Sequence, residues 1–598
     1  MRFLIFFLYF LTAQFSVCAT PRITYRLSMP QPHTHYFEVE MQLEDIAEAT
    51  ESSKNGYFDL KMAVWTPGSY LIREYAKHVE TLTASANGQP VKAEKIRKNA
   101  WRIYSSQPQI KVRYRVYAYE LSVRTSFLDD SHGYVNGATM FLYHDNLKNL
   151  PLRLEIEPYR DWKNISTGLK KINATTFEAR NFDELVDCPI EIGNHKILPF
   201  TAAGLPHYVA MYGTAQYDSL ALTDLMRRVC EAATTIIKEH PCQDYTFIVH
   251  NTNVGSGGLE HANSTTLGVN RNTYQSDAGL KSFLSLVAHE YFHLWNVKRI
   301  RPIELGPFDY ENENYTRLLW VAEGFTSFYQ TDILRRAGIY NTEEYWQRAA
   351  ALINGVENKP GNQVQSLAEA SWDAWIKYYR PNENSVNSTV SYYDKGAVIG
   401  QMLHLLILSE TNGQKSLDDV MRYLYEEYYK KKQRGFSDQE MQQACEFVAG
   451  RSLEDFFQKY IYGTENLPYA QLLAPFGLML KDKNASNTQP YLGAAFTQRG
   501  SQWVVSEVRR DSPAQQGGLN VNDEIVSIEG QKIDKSVGEI IQKYAIDATL
   551  TIQVLRAGLP KSLKITLGKS PLVQYEIQRV AKPTASQEAL YQRMMNLK

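Results

Sequence analysis

Between Leu280 and Leu294 the chain is strongly apolar, with Leu280, Phe283, Leu284, Leu286, Val287, Phe292 and Leu294, yet it carries His289-Glu290-Tyr291-Phe292-His293 within that stretch. The spacing of the apolar residues predicts a mostly buried helix, and Ser276-Asp277 can cap its start. A buried helix is a costly place for two histidines and a glutamate without partners. On a helix, residues four apart project from one face, one turn apart. Two imidazoles so placed can hold one zinc ion at about 2.0–2.1 Å. Glu290 then points toward the open side of the ion, where a carboxylate can take a proton from water.

A catalytic site of this type needs a third protein ligand and a vacancy. Trp320-Val321-Ala322-Glu323-Gly324-Phe325-Thr326-Ser327-Phe328-Tyr329 is a second apolar, helical stretch with a single carboxylate, 30 residues beyond His293. Two helices with a loop between them can bring Glu323 to the same ion. The expected metal set is His289, His293 and Glu323 around one Zn²⁺, with Glu290 as general base. Read alone, Glu323 would be an acid stabilised at a helix start by the dipole.

The rest of the chain divides by pattern. Residues 1–19 read as a signal peptide: Met1-Arg2, an apolar run from Phe3 to Thr12, and Val17-Cys18-Ala19 before a cut near Thr20. Residues 20–200 are strand-rich, with Ile23–Leu27, Tyr36–Met41 and Ile110–Val116 alternating or β-branched and aromatic, which fits a β-sandwich-like domain. Residues 201–480 are mainly helical, with a small sheet at Tyr245–Val249 and Thr265–Val269. After a polar linker, 488–570 form a compact β-rich module, and 571–598 read as a C-terminal tail with a short helix. The fold class is therefore multidomain α+β.

With 64 basic residues against 65 acidic ones, the chain offers no electrostatic footprint for nucleic acid. No later run reaches the about eighteen apolar residues of a membrane span, so no integral membrane segment is expected in the mature chain. The leader implies an exported protein, periplasmic or secreted. Four cysteines remain beyond it, Cys188, Cys230, Cys242 and Cys445. They are too few for a disulfide scaffold, and whether Cys230 bridges Cys242 stays open.

The segments His289-Glu290-x-x-His293 and Trp320-x-x-Glu323-Gly324-Phe325-Thr326 resemble the glycyl aminopeptidase family of gluzincin metallopeptidases, as does Trp65-Thr66-Pro67-Gly68-Ser69-Tyr70-Leu71-Ile72-Arg73 in the β domain. The resemblance covers nearly the whole mature chain. It implies a thermolysin-like catalytic domain between a β domain and a PDZ domain, and hydrolysis of peptides with small N-terminal residues, Gly or Ala. Gly257-Gly258-Leu259-Glu260-His261 is similar to the exopeptidase segment of related aminopeptidases. Gly257 and Gly258 would let a substrate backbone approach closely, and Glu260 would meet its free ammonium. Tyr393-Asp394-Lys395-Gly396 is similar to the segment whose tyrosine donates to the oxyanion. Tyr393 is the carried-over candidate, with Tyr392 beside it. The gap from His293 to Glu323 is longer than in thermolysin and aminopeptidase N, so Lys298–Tyr315 is expected to shape the cleft.

Tyr491-Leu492-Gly493-Ala494, Asp511-Ser512-Pro513-Ala514 and Asp523-Glu524-Ile525-Val526 resemble a PDZ domain. The first segment matches its carboxylate-binding loop, and Val537–Tyr544 would supply the groove helix, so a C-terminal peptide is the implied ligand. Two further readings stay open. One is a zinc endopeptidase. The other is a non-catalytic protein that binds polypeptides through its PDZ domain.

Overall fold

The computed structural model describes residues 21–533 and 536–596. The leader at 1–19 lies outside the described residues. Among them, no helix is long and apolar enough to cross a membrane.

The N-terminal domain is built from three sheets around one core. Arg22–Ser28 pairs antiparallel with Tyr36–Glu44 and parallel with Leu152–Glu157 in an eight-stranded sheet. Its residues alternate, and Ile23, Tyr25 and Leu27 face inward. Two four-stranded sheets share that core through residues such as Leu60, Met62, Val135 and Ile192.

The central region opens with a five-stranded sheet whose first strand, Lys196–Ala202, starts slightly before the expected boundary at 201. Tyr245–Thr252 and Ser264–Asn270 run parallel at its centre, and Gly258–Glu260 is an antiparallel edge strand. One face carries Tyr245 and Phe247, whose rings pack on Tyr291 of the motif helix at 4.9 and 5.9 Å. The other face carries Ile248, which meets Tyr134 of the N-terminal domain. The sheet therefore has the motif helix on one side and the β domain on the other.

The motif helix spans Asp277–Phe292, and the Gly279 N–H donates to the Ser276 hydroxyl at 3.1 Å as its N-cap. The sequence pattern carries it on to Trp295. It stops earlier because Asn296 turns inward, fully buried, and donates to the carbonyls of Val321 and Ala322 at 2.8 and 3.1 Å.

The segment Lys298–Tyr315 lines the groove between the domains with Lys298, Arg299, Arg301, Leu305 and Phe308, and it also brackets the two domains. The Trp65 indole N–H donates to the Asp309 carbonyl at 2.8 Å, Lys61 pairs with Glu311 at 2.6 Å, and Tyr310 is buried in the β-domain core.

The segment expected as a tail from 571 packs back onto the molecule over its described residues, which end at 596. Tyr575–Arg579 pairs with Leu478–Asp482, and Tyr591 and Met594 of the helix Ala585–Met595 are buried in the catalytic core. Each such burial contributes roughly 1.5–3 kcal/mol. The β-rich module from Pro490 to Lys569 thus interrupts the catalytic domain and does not follow it. It has its own core, and its helix, Val537–Ile541, is shorter than the pattern implies.

Candidate metal centre

Three donor atoms converge at the end of the motif helix. His289 Nε2 and His293 Nε2 are 3.1 Å apart, and Glu323 Oε2 lies 3.5 and 3.2 Å from them. Donors held 2.0–2.1 Å from a tetrahedral ion are separated by about 3.3–3.4 Å. The opposite ring nitrogens are both engaged: His289 Nδ1 donates to Gln330 Oε1 at 2.8 Å, and His293 Nδ1 donates to the Asn296 carbonyl at 2.6 Å. With protons on both Nδ1 atoms, the two Nε2 atoms present lone pairs. Two lone pairs and a buried carboxylate oxygen facing one point repel one another unless a cation sits between them, so the residues fit a divalent ion.

Glu323 sits in a wide π-helical turn, Trp320–Phe325, of a kind often found at functional sites. Burial opposes its charge, so the carboxylate needs a cation beside it. Asn296 ties this turn to the histidines, since it accepts from His293 and donates to Val321, Ala322 and Thr326. Gly324 lies so close to Gly396 that a Cβ on it would come within 2.5 Å of the Gly396 Cα. That close crossing sets Tyr392 and Tyr393, at the start of the helix Asp394–Glu410, beside the centre.

Two more carboxylates share the cavity. Glu290 and Glu260 are 5% and 3% exposed, and each has an oxygen within 4.8 Å of a His293 nitrogen. Burial pushes the Glu290 carboxyl up to about 8, helped by Glu260 and Glu323 and opposed by His289 and Arg124. Gly258 of the edge strand sits directly on Glu290, where a Cβ would meet the carboxylate at 2.3 Å. Gly68, at φ +85°, does the same to Glu260 at 2.6 Å. The β domain therefore forms one wall of the site. Among the described residues, Glu260, Glu290 and Glu323 form no ion pair with a lysine or arginine. Glu260 Oε1 has no hydrogen-bond partner.

The tyrosines gather on the side facing His289. The Tyr393 ring lies parallel to the His289 ring at 6.3 Å and stacks on Tyr378 at 5.4 Å. Tyr392 is fully buried, and its hydroxyl has no hydrogen-bond partner. A groove of about 1730 Å³ runs between the two domains and reaches Gly68, Tyr70 and Glu260, but none of the metal donors lines it. Cys230 and Cys242 are free thiols.

A second His-Glu-His cluster spans the domain interface. His132 Nδ1 lies 2.7 Å from Glu191 Oε1, and His250 Nε2 lies 2.9 Å from Glu191 Oε2, all three buried. Here each imidazole N–H donates to a separate carboxylate oxygen at hydrogen-bond length, so the carboxylate is answered without an ion. In the PDZ-like module, Gly493 at φ +79° forms the turn between Tyr491-Leu492 and Ala494. The neighbouring Arg510 N–H and Val508 carbonyl bond Asn387 of the catalytic domain at 2.7 and 2.8 Å.

The sequence carries no motif for Gln330 or Asn296. Gln330 follows Glu323 by two helical turns, which is the one spacing signal among them.

Three segments match known families: residues 24–194 match the Peptidase M61 N-terminal domain, 282–399 the M61 glycyl aminopeptidase and 490–567 the PDZ domain. No curated protein matches the sequence. The crystal structure of an aminopeptidase N family protein from Idiomarina loihiensis is 31% identical with a TM-score of 0.87, over 95% of this chain and 99% of that one. A mutant M1 zinc metallopeptidase from Deinococcus radiodurans, bound to Tyr-Ser-Ala, is 13% identical with a TM-score of 0.46, over 75% of this chain and 95% of that one.

Proposed function

Since the chain belongs to the M61 glycyl aminopeptidase family of metallopeptidases, we propose that it is an exported enzyme that releases small N-terminal residues, Gly or Ala, from peptides. The observation that carries this reading is the convergence of two unprotonated imidazole nitrogens and Glu323 on one point, next to an unpaired Glu260. His289, His293 and Glu323 would hold one zinc ion. When bound, zinc supplies polarisation of the scissile carbonyl and a lower pKa for water.

The remaining steps belong to the protein. Glu260 accepts the substrate ammonium, and the edge strand Gly258–Glu260 aligns the backbone. Glu290, made basic by burial, takes a proton from the attacking water and hands it to the leaving amine. Tyr393 donates its phenolic hydrogen to the carbonyl oxygen as that atom becomes negative. Tyr70, edge-on to Trp375 at 5.6 Å, together with Gly68, crowds the Glu260 end of the site, which favours a small first side chain.

The test is metal analysis of the purified chain, N-terminal sequencing, and assays on glycyl and alanyl peptides with free and acetylated amines. One zinc per chain, a mature start at Thr20, and cleavage only of the free amines are expected. Glu290→Gln is expected to keep zinc and to lose turnover by about 10²–10⁴-fold. Equal cleavage of acetylated peptides would establish an endopeptidase. Metal-free protein with no hydrolysis would leave a polypeptide-binding role.

A further inference from the structure

The turn that follows the helix Leu367–Trp372 presents apolar side chains to solvent. Ile376 is 58% exposed, Trp372 42%, Tyr378 40%, and Tyr315, stacked on Trp372 at 5.1 Å, 38%. Single exposed apolar residues are ordinary, but a group of them gathered on one turn marks a binding surface. The shape of this turn is fixed. The Ile376 and Tyr379 N–H groups donate to the Asp373 and Ala374 carbonyls, both at 3.1 Å. Trp375 is buried and anchors the turn on Trp65 and Tyr70 of the β domain, at ring distances of 5.1 and 5.6 Å.

The exposed surface continues into the candidate site. The Tyr378 ring lies 4.9 Å from Tyr392 and 5.4 Å from Tyr393, and Tyr393 in turn lies 6.3 Å from His289. Glu260 stands at the other end, where its carboxylate clusters with Glu290 and His293. A peptide whose ammonium meets Glu260 therefore runs past the metal donors from the His293 side to the His289 side, and its next residues arrive at Tyr378. Lys377 and Asp373 on the same turn pair with each other at 2.7 Å, so neither calls for a charged ligand. An exposed ring on a fixed turn is suited to an apolar or aromatic side chain, which gains both burial and ring packing there.

We propose that Tyr378, with Ile376 on the same turn, is an apolar subsite for the second residue of the substrate, the one that becomes the new N-terminus after cleavage. The preferred substrates are then peptides with a small first residue and an aromatic or large aliphatic second one. Trp372 and Tyr315 extend the same shelf for longer chains. This rests on the aminopeptidase reading.

The experiment compares kcat/KM of the full-length zinc enzyme for Gly-Phe-amide, Gly-Gly-amide and Phe-Gly-amide. Burial of the second side chain predicts that Gly-Phe-amide is preferred over Gly-Gly-amide by about tenfold or more. In Y378A that ratio is expected to fall to near one, whereas Y378F, which keeps the ring, is expected to retain it. I376D, at an exposed position away from the packed rings, is expected to lower the ratio as well, with thermal melting confirming that the variants fold. Equal rates on Gly-Phe-amide and Gly-Gly-amide, or a preference that survives both Y378A and I376D, would overturn the subsite while leaving the aminopeptidase intact. A Y378A effect confined to Phe-Gly-amide would also overturn it, since the ring would then lie beside the first residue. If none of the peptides is cleaved, the aminopeptidase reading fails and the subsite falls with it.

Discussion

At the scale of single residues, the metal donors depend on the atoms behind them. Gln330 and the Asn296 carbonyl fix which nitrogen of each imidazole carries the proton, so the rings need no reorganisation to accept an ion. The two adjacent tyrosines are separable in the same terms. Tyr393→Phe is expected to lower kcat by about 10²–10³-fold with a smaller change in KM, because it removes a donor to the developing oxyanion. Tyr392→Phe removes a hydroxyl that has no partner and is expected to leave kcat within a few-fold. Steady-state kinetics on a glycyl peptide checks both, and the opposite ranking would move the role to Tyr392. His289, Glu290 and His293 were legible in the sequence because four-residue spacing on a helix is a local signal. Gly68 was not legible as part of the site, since its position follows from domain docking and leaves no local periodicity.

At the scale of elements, two close approaches of backbone build the centre. The edge strand lies on Glu290 at Gly258, and the π turn of Glu323 crosses the helix Asp394–Glu410 at Gly324 and Gly396. A Cβ on Gly396 would stand 2.8 Å from both the Gly324 Cα and the Trp320 carbonyl oxygen, backbone atoms that cannot swing aside. Gly396→Ala is therefore expected to weaken zinc binding and to lower kcat/KM by at least about tenfold, in the range of a core overpacking cost of about 1–3 kcal/mol. Zinc titration with a competing chelator checks this, and wild-type affinity with wild-type kinetics would show that the helices can part freely. The sequence pattern locates both helices, but not the early stop at Phe292 or the wide turn at Trp320–Phe325. Those follow from Asn296 bonding carbonyls on a distant segment, and propensity does not encode such a contact.

At the scale of the whole molecule, the β domain is part of the catalytic wall, and the Glu191 cluster is one of its fastenings. Burial opposes the Glu191 charge, but His132 and His250 outweigh it and hold the carboxyl down to about 2. A carboxyl depressed in the folded state stabilises fully above its unfolded value of ~4.3 and loses that contribution as pH falls through the folded value. The stability gap between wild type and Glu191→Gln is expected to be on the order of 3 kcal/mol near neutrality and to close between about pH 4 and pH 2. Thermal melts across that window check it, and a gap independent of pH would remove the ionised carboxylate from the account. The domain order was readable from composition and motifs, whereas the return of 571–596 into the catalytic core was not, because a short amphipathic helix after a linker reads the same whether it packs or hangs free. That return has a consequence for the order of synthesis. The ribosome must emit the entire PDZ domain before it delivers the strand Tyr575–Arg579 and the helix Ala585–Met595. The peptidase core therefore stays unfinished until the whole PDZ domain has been made, so a nascent chain that stops short of Tyr575 lacks part of that core.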